Sequence, residues 1–256
     1  MELSVNRFKQ ALAQGKLQIG LWSGLCSNIG IEAIADSPFD WLLLDTEHSP
    51  NELPDLLSQL QALVGGASTP IVRPAWNDTV LIKRILDVGA QSLLVPYVQN
   101  AEEAAQAVAA VRYPPNGVRG VAGSSRASRY GRVKDYLKLA DAQICLLVQV
   151  ETRLALDQIE AIAGVEGVDG VFIGPSDLAA ALGHIGDPGH PVVQAALKDA
   201  VDRLKAVGKP AGILTSNEDD ARRYIEWGYL FVAVGSDIGI LLRGADALAR
   251  RFKPGA

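Results

Sequence analysis

The sequence predicts a (β/α)8 TIM barrel, and three observations carry that prediction. Eight short apolar runs recur along the chain, each long enough for a buried strand and too short for a helix. Stretches of helical periodicity separate them, which is the alternation of βα units around a parallel sheet. The length, 256 residues, suits one such barrel, which typically needs about 250. A doubly wound open sheet shares this grammar, but no strand here is followed by a Gly-x-Gly-x-x-Gly turn. The expectation is a single barrel domain over residues 1–256.

In order, strands are predicted over residues 17–22, 41–45, 71–74, 92–97, 144–151, 170–174, 211–215 and 230–235. Helices are predicted over 52–64, 78–88, 101–111, 153–163, 192–207 and 218–227. Asn77-Asp78 and Asn217 precede helical patterns as N-cap types, and Gly89, Gly208 and Gly228 close them as C′ residues. The one long connection, 113–141, holds Pro114-Pro115, Gly117, Gly120 and Gly123. A connection of that length is expected to be functional or mobile, rising at the end of the barrel where the βα segments lie.

Composition narrows the function classes. A net charge of −5 offers no cationic field for nucleic acid or an anionic membrane, so neither is an expected partner. Cys26 and Cys145 show no metal-ligand spacing and suit a reducing compartment, packed as small apolar groups at opposite ends of the barrel. Residues 2–16 are charged and amphipathic, unlike a signal peptide, and no apolar run approaches membrane-spanning length. A cytoplasmic protein is expected.

Barrel enzymes place their chemistry at the C-terminal ends of the strands. Those ends are polar: Trp22; Asp45-Thr46-Glu47-His48; Arg73; Gln149 and Glu151; and Gly174-Pro175-Ser176-Asp177. Glu151 and Asp177 end neighbouring strands, where two carboxylates could share a divalent cation or could cap the helices that follow. His48 could act as a general base or be satisfied within its own loop. Arg73 could meet an anion or pair with Asp45 or Glu47, two compatible roles. His184 and His190 read as loop residues. No lysine ends a strand, so a Schiff-base mechanism lacks its nucleophile.

Several of these runs occur together in a known family. Gly20-Leu21-Trp22, Phe39-Asp40-Trp41-Leu42-Leu43-Leu44-Asp45 with Glu47-His48, and Val72-Arg73-Pro74 with Trp76-Asn77-Asp78 are three of them. Leu93-Leu94-Val95-Pro96, Arg112-Tyr113-Pro114-Pro115 with Arg119-Gly120, and Gly167-Val168-Asp169-Gly170-Val171-Phe172-Ile173-Gly174-Pro175 with Asp177-Leu178 complete the set. Together they make the chain resemble the class II pyruvate aldolases of the 4-hydroxy-2-oxoheptanedioate aldolase type, over nearly its whole length.

The resemblance implies reversible cleavage of 4-hydroxy-2-oxo acids into pyruvate, or hydroxypyruvate, and an aldehyde through a metal-stabilised enolate. It implies a divalent cation, Mg2+, Mn2+ or Co2+, on Glu151 and Asp177. His48 would be the base, Arg73 would stabilise the transition state, and Asp87 would raise the basicity of His48. Sequence pattern alone would assign that last role to Asp45. Gln149, Ser176 through its backbone, Asp177, Trp22 and Gly174 would contact substrate. The resemblance also implies a homohexamer, a dimer of trimers, with residues 237–251 exchanged between subunits. The alternative is a related enolising lyase, either an oxaloacetate decarboxylase or an acyl-CoA lyase whose nucleotide phosphates would need Arg126, Arg129, Arg132 and Lys134.

Overall fold

The strands pair in parallel and in chain order, and the last closes on the first. They are β1 (Gln18–Ser23), β2 (Trp41–Asp45), β3 (Thr69–Arg73), β4 (Ser92–Val95), β5 (Cys145–Val150), β6 (Gly170–Ile173), β7 (Ala211–Leu214) and β8 (Phe231–Ser236). This computed structural model describes residues 1–253; residues 254–256 of the expected domain lie outside the described residues. Each expected strand is present, and the eight-stranded barrel is as the sequence predicts.

Strand alternation sorts side chains into two apolar layers. In β2, Trp41 and Leu43 join an interior cluster with Ile71, Leu94, Leu147, Phe172 and Phe231. Leu42 and Leu44 point outward into the larger layer beneath the helices. The first helix, α1 (Arg7–Ala13), plugs the N-terminal end of the barrel. Its Phe8 meets Trp41 and Phe231 edge-on, with ring centroids 6.0 and 5.9 Å apart. Gly20 and Gly212 make room for those two rings: a Cβ at either would lie inside van der Waals contact of Trp41 or Phe231.

The outer helices are α2 (Asn28–Ile34), α3 (Leu53–Ala62), α4 (Thr79–Asp87), α5 (Ala101–Val111), α6 (Tyr136–Gln143), α7 (Arg153–Asp157), α8 (Ile159–Ala163), α9 (Pro175–Ala181), α10 (Pro191–Ala206), α11 (Glu218–Trp227) and α12 (Asp237–Phe252). Asp78 accepts from the Val80 and Leu81 amides and Asn217 from those of Asp219 and Asp220, as capping predicts. Gly89, Gly208 and Gly228 take left-handed φ values of 103°, 68° and 106°. The helix expected over 153–163 is two, because Gln158 leaves helical geometry at φ −108°, ψ 16°. Helices α2, α6 and α9 were not expected. Each is seven or eight residues long, too short for its periodicity to stand out.

The long connection lies at the other end of the barrel from the one expected. It follows α5 and precedes β5, so it is an αβ connection beneath the N-terminal ends of the strands. Arg126 fastens it there by donating to the Val88 carbonyl at 2.7 Å and the Leu60 carbonyl at 3.2 Å, near the ends of α4 and α3. The chain packs it as scaffold. Cys145 is buried at the start of β5 and Cys26 is half-buried beyond β1; both are free thiols.

Candidate active site

At the C-terminal rim a cavity of about 540 Å³ is lined by Trp22, His48, Arg73, Gln149, Gly174, Ser176 and Asp177. Seven of the nine residues singled out from the sequence thus share one wall, although they come from segments over 150 residues apart.

Arg73 is the hub of one half. It ends β3 beside the end of β2, with which it is in register at Asp45. Its Nε and Nη2 donate to the two Asp45 oxygens at 2.9 and 2.7 Å, a bidentate fork, and its Nη1 lies 2.7 Å from Glu47 Oε2. The guanidinium also sits over the Trp22 ring, 4.8 Å from its centroid, while Trp22 Nε1 donates to Asp45. Burial pushes the Asp45 carboxyl up, but the Arg73 bonds outweigh burial and hold it below the usual carboxylate range. Glu47 goes the other way: burial leads, Asp45 and Asp177 add repulsion, and its carboxyl is raised despite Arg73. The pairing of Arg73 with Asp45 or Glu47 is therefore real on both counts.

His48 stands out from this knot. Its side chain is 67% exposed, and Nε2 lies 3.8 Å from Glu47 Oε1, too far for a hydrogen bond. Asp45 instead receives the backbone amide of Glu47 at 3.0 Å, which shapes the turn. Asp87 does not approach His48 within one chain. It ends α4 at the opposite end of the barrel, where Oδ1 accepts from Nη2 of the fully buried Arg119 at 3.2 Å.

The second half centres on Glu151, just beyond β5 and only 2% exposed. Gln149 Nε2 donates to one of its oxygens, and the Tyr97 amide donates to the other at 3.0 Å. Tyr97 holds a left-handed φ of 55° at the end of β4, a strained conformation that presents this N–H to the carboxylate. Sequence reading missed it, since a backbone amide leaves no mark in residue type. Burial, with repulsion from Asp177 and Glu47 added, pushes the Glu151 carboxyl up to about 7 against the hydrogen bonds. Gly174 is required here: a Cβ would lie 2.9 Å from Glu151 Cβ and 3.0 Å from Gln149 Nε2.

The residues present suit a hard divalent cation. Glu151 and Asp177 repel one another, and the buried Gln149 Oε1 has no hydrogen-bond partner, so the corner offers oxygen donors that a cation would satisfy. Among the described residues no group of three or more His, Cys, Asp or Glu side chains is arranged to hold a metal, so two carboxylates are the acidic ligands on offer.

The cavity has a far wall that sequence reading passed over: Thr215, Ser216, Asp220 and Tyr224, between β7 and α11. The signal was available, because Thr215-Ser216 lie just past a strand end as Ser176 and Asp177 do. His184 and His190 are loop residues as expected, stacked on each other with centroids 3.5 Å apart.

A family model for HpcH/HpaI aldolase/citrate lyase matches residues 18–243, from the first barrel strand into the last helix. The chain belongs to that family. A pyruvate aldolase of Rhizobium etli is 61% identical over 98% of this chain and 99% of its own length. A 4-hydroxy-2-oxo-heptane-1,7-dioate aldolase of Klebsiella pneumoniae is 58% identical over 96% of this chain and 94% of its own. Among solved structures, an HpcH/HpaI aldolase/citrate lyase family protein from Burkholderia cenocepacia superposes with a TM-score of 0.95. It is 40% identical, covering 97% of this chain and all of that one. The carbon–carbon lyase class and the barrel anticipated from the motifs agree with these relatives.

Proposed function

We propose that this family member is a metal-dependent aldolase that reversibly cleaves 4-hydroxy-2-oxo acids into pyruvate, or hydroxypyruvate, and an aldehyde. The observation that carries the proposal is one cavity lined by the exposed His48 imidazole, the fixed Arg73 guanidinium and Asp177, with Gln149 leading from it to the buried Glu151. No lysine lines that cavity among the described residues, which leaves a Schiff base without its amine.

Glu151 and Asp177 would hold the cation, Mg2+, Mn2+ or Co2+, which supplies Lewis-acid stabilisation of the negative charge an enolate carries. In cleavage His48 takes the proton of the C4 hydroxyl, and in condensation it takes one from the C3 methyl of pyruvate. Asp45 takes two of the five N–H groups of Arg73; those of Nη1, whose charge pairs with Glu47, and the second on Nη2 are available to a developing oxyanion. Gly174 caps α9, so the Ser176 and Asp177 amides have no carbonyl one turn back and can receive the substrate carboxylate. Trp22 closes the inner wall and fixes the Arg73 plane.

Asp87 could serve His48 only from another copy of the chain, which agrees with the proposed homohexamer. So does α12, which has no buried residue and exposes Ile240, Leu241, Leu242, Leu248 and Phe252. Exchange of this helix between subunits of a dimer of trimers would cover it. The acyl-CoA alternative is weakened by position, since Arg126, Arg129, Arg132 and Lys134 lie in the connection beneath the opposite end of the barrel. No helix among the described residues is long and apolar enough to cross a membrane, and a cytoplasmic location remains part of the proposal.

The test is pyruvate release from a 4-hydroxy-2-oxo acid after chelation. Activity should vanish and return with Mg2+, Mn2+ or Co2+. Activity that survives chelation, or inactivation by borohydride in the presence of pyruvate, contradicts the mechanism.

A further inference from the structure

The side of the cavity between β7 and α11 differs in chemistry from the side that carries Arg73, Gln149 and Asp177. Leu214 ends β7, Thr215 and Ser216 follow, and Asp220 and Tyr224 stand four residues apart on α11, on one helix face. Thr215 Oγ1 accepts the Asn217 amide at 3.1 Å, which leaves the hydroxyl proton free to donate. The Tyr224 hydroxyl is occupied by Gln194 Nε2 at 2.9 Å, so that ring contributes its apolar edge. Polar atoms facing a substrate on this side are therefore hydroxyls and one carboxylate.

Within one chain, no unpaired arginine or lysine among the described residues stands on that wall to balance an anion. Arg73 is the only arginine or lysine among the described residues lining the cavity, and it stands with Trp22, Asp45 and Glu47 rather than on the side of β7 and α11. Arg223 does not line the cavity and is already paired with the wall's carboxylate. It donates to Asp220 Oδ1 at 2.6 Å and Gln194 Oε1 at 2.8 Å, and lies over the Tyr224 and Trp227 rings at 5.6 and 5.5 Å. Glu218 and Asp219, on the same first turn as Asp220, are both tied to Arg222. A carboxylate on an incoming aldehyde would lose its water beside Asp220 and gain no free countercharge, since Arg223 is already spent on Asp220. Hydroxyls on the same aldehyde would find both donors and an acceptor.

Resting on the aldolase reading, we propose that Asp220, with Thr215 and Ser216, determines which aldehyde is used. Uncharged hydroxyaldehydes are accepted, and aldehydes ending in a carboxylate are rejected by the Asp220 charge.

The experiment measures kcat/KM for condensation of pyruvate, with Mn2+ present, with glyceraldehyde and with succinic semialdehyde. The native enzyme should favour glyceraldehyde by about tenfold or more. Asp220→Asn removes the repelling charge and releases that of Arg223, and should shift the ratio toward succinic semialdehyde by at least about fivefold. Thr215→Val, which keeps shape, should lower the glyceraldehyde value and leave succinic semialdehyde unchanged. A native preference for succinic semialdehyde, or an unchanged ratio in folded Asp220→Asn and Thr215→Val proteins, overturns the proposal and leaves the aldolase reading standing. Failure of pyruvate to condense with either aldehyde overturns both.

Discussion

Replacing Arg73 by methionine isolates the charge at the centre of the rim, because methionine retains much of the aliphatic stem and loses only the guanidinium that sits over Trp22. Three short contacts disappear: two to Asp45 at 2.9 and 2.7 Å and one to Glu47 at 2.7 Å. Both carboxylates are buried or nearly so, and removing one partner of a buried pair costs about 3–5 kcal/mol because the other charge is left uncompensated. The loss should depend on pH with a definite sign. Without Arg73, burial is opposed at Asp45 only by the Glu47 amide and Trp22 bonds, so that carboxyl rises, and Glu47 rises further. A carboxyl raised on folding contributes stability below its unfolded pKa and loses it as pH rises through the folded one. The variant should therefore recover stability on going from pH 7.5 to 5, by roughly 1.4 kcal/mol for each unit by which an orphaned carboxyl exceeds 5. Urea unfolding at both pH values, at one protein concentration and relative to the native protein, measures this. Arg73→Lys should regain part of the stability through its charge, while turnover stays low because an ammonium cannot reproduce the fork. A loss below about 1 kcal/mol at pH 7.5, or one identical at both pH values, would refute the reasoning.

Three other outcomes follow from the same geometry. His48→Ala should lower kcat by about 10²–10⁴ and leave stability within about 0.5 kcal/mol, since the ring is mostly exposed; urea unfolding beside steady-state kinetics separates the two effects. Gly174→Ala keeps an allowed backbone at φ −82° but drives a methyl into Glu151 and Gln149. It should cost about 1–3 kcal/mol and weaken Mn2+ binding by about tenfold or more, read by calorimetric titration. With the Glu151 carboxyl near 7, Mn2+ affinity should fall about tenfold per pH unit below that value; metal-free protein should lose stability as pH rises from 5 to 8, and Mn2+ should reverse that loss.

Strand count, the polar rim and the capping residues could be read from residue order because each is a local pattern. Trp41-Leu42-Leu43-Leu44-Asp45 states in five residues a buried strand and a charged exit. Asp78 and Asn217 likewise declare helix starts through bonds to amides two or three residues ahead. The same reading placed the 113–141 connection at the wrong end, because nothing in its residues distinguishes a βα from an αβ segment until the strand that follows is located. It also left open whether Arg73 faces substrate or pairs with Asp45 and Glu47, and whether Glu151 and Asp177 meet at all.

Those questions concern groups from different strands, and barrel closure settles them by bringing the strand ends within reach of one another. Parallel register sets Asp45 beside Arg73, burial and neighbouring charge raise Glu151, and the strained Tyr97 amide reaches Glu151 from the adjoining strand. Asp87 illustrates the same division. Its motif suggested a partner for His48, and only the course of α4 down the outside of the barrel reveals that one chain separates them. Local hydrogen bonding and periodicity are written in neighbouring residues, whereas electrostatics and packing depend on distances that exist only once the barrel has closed.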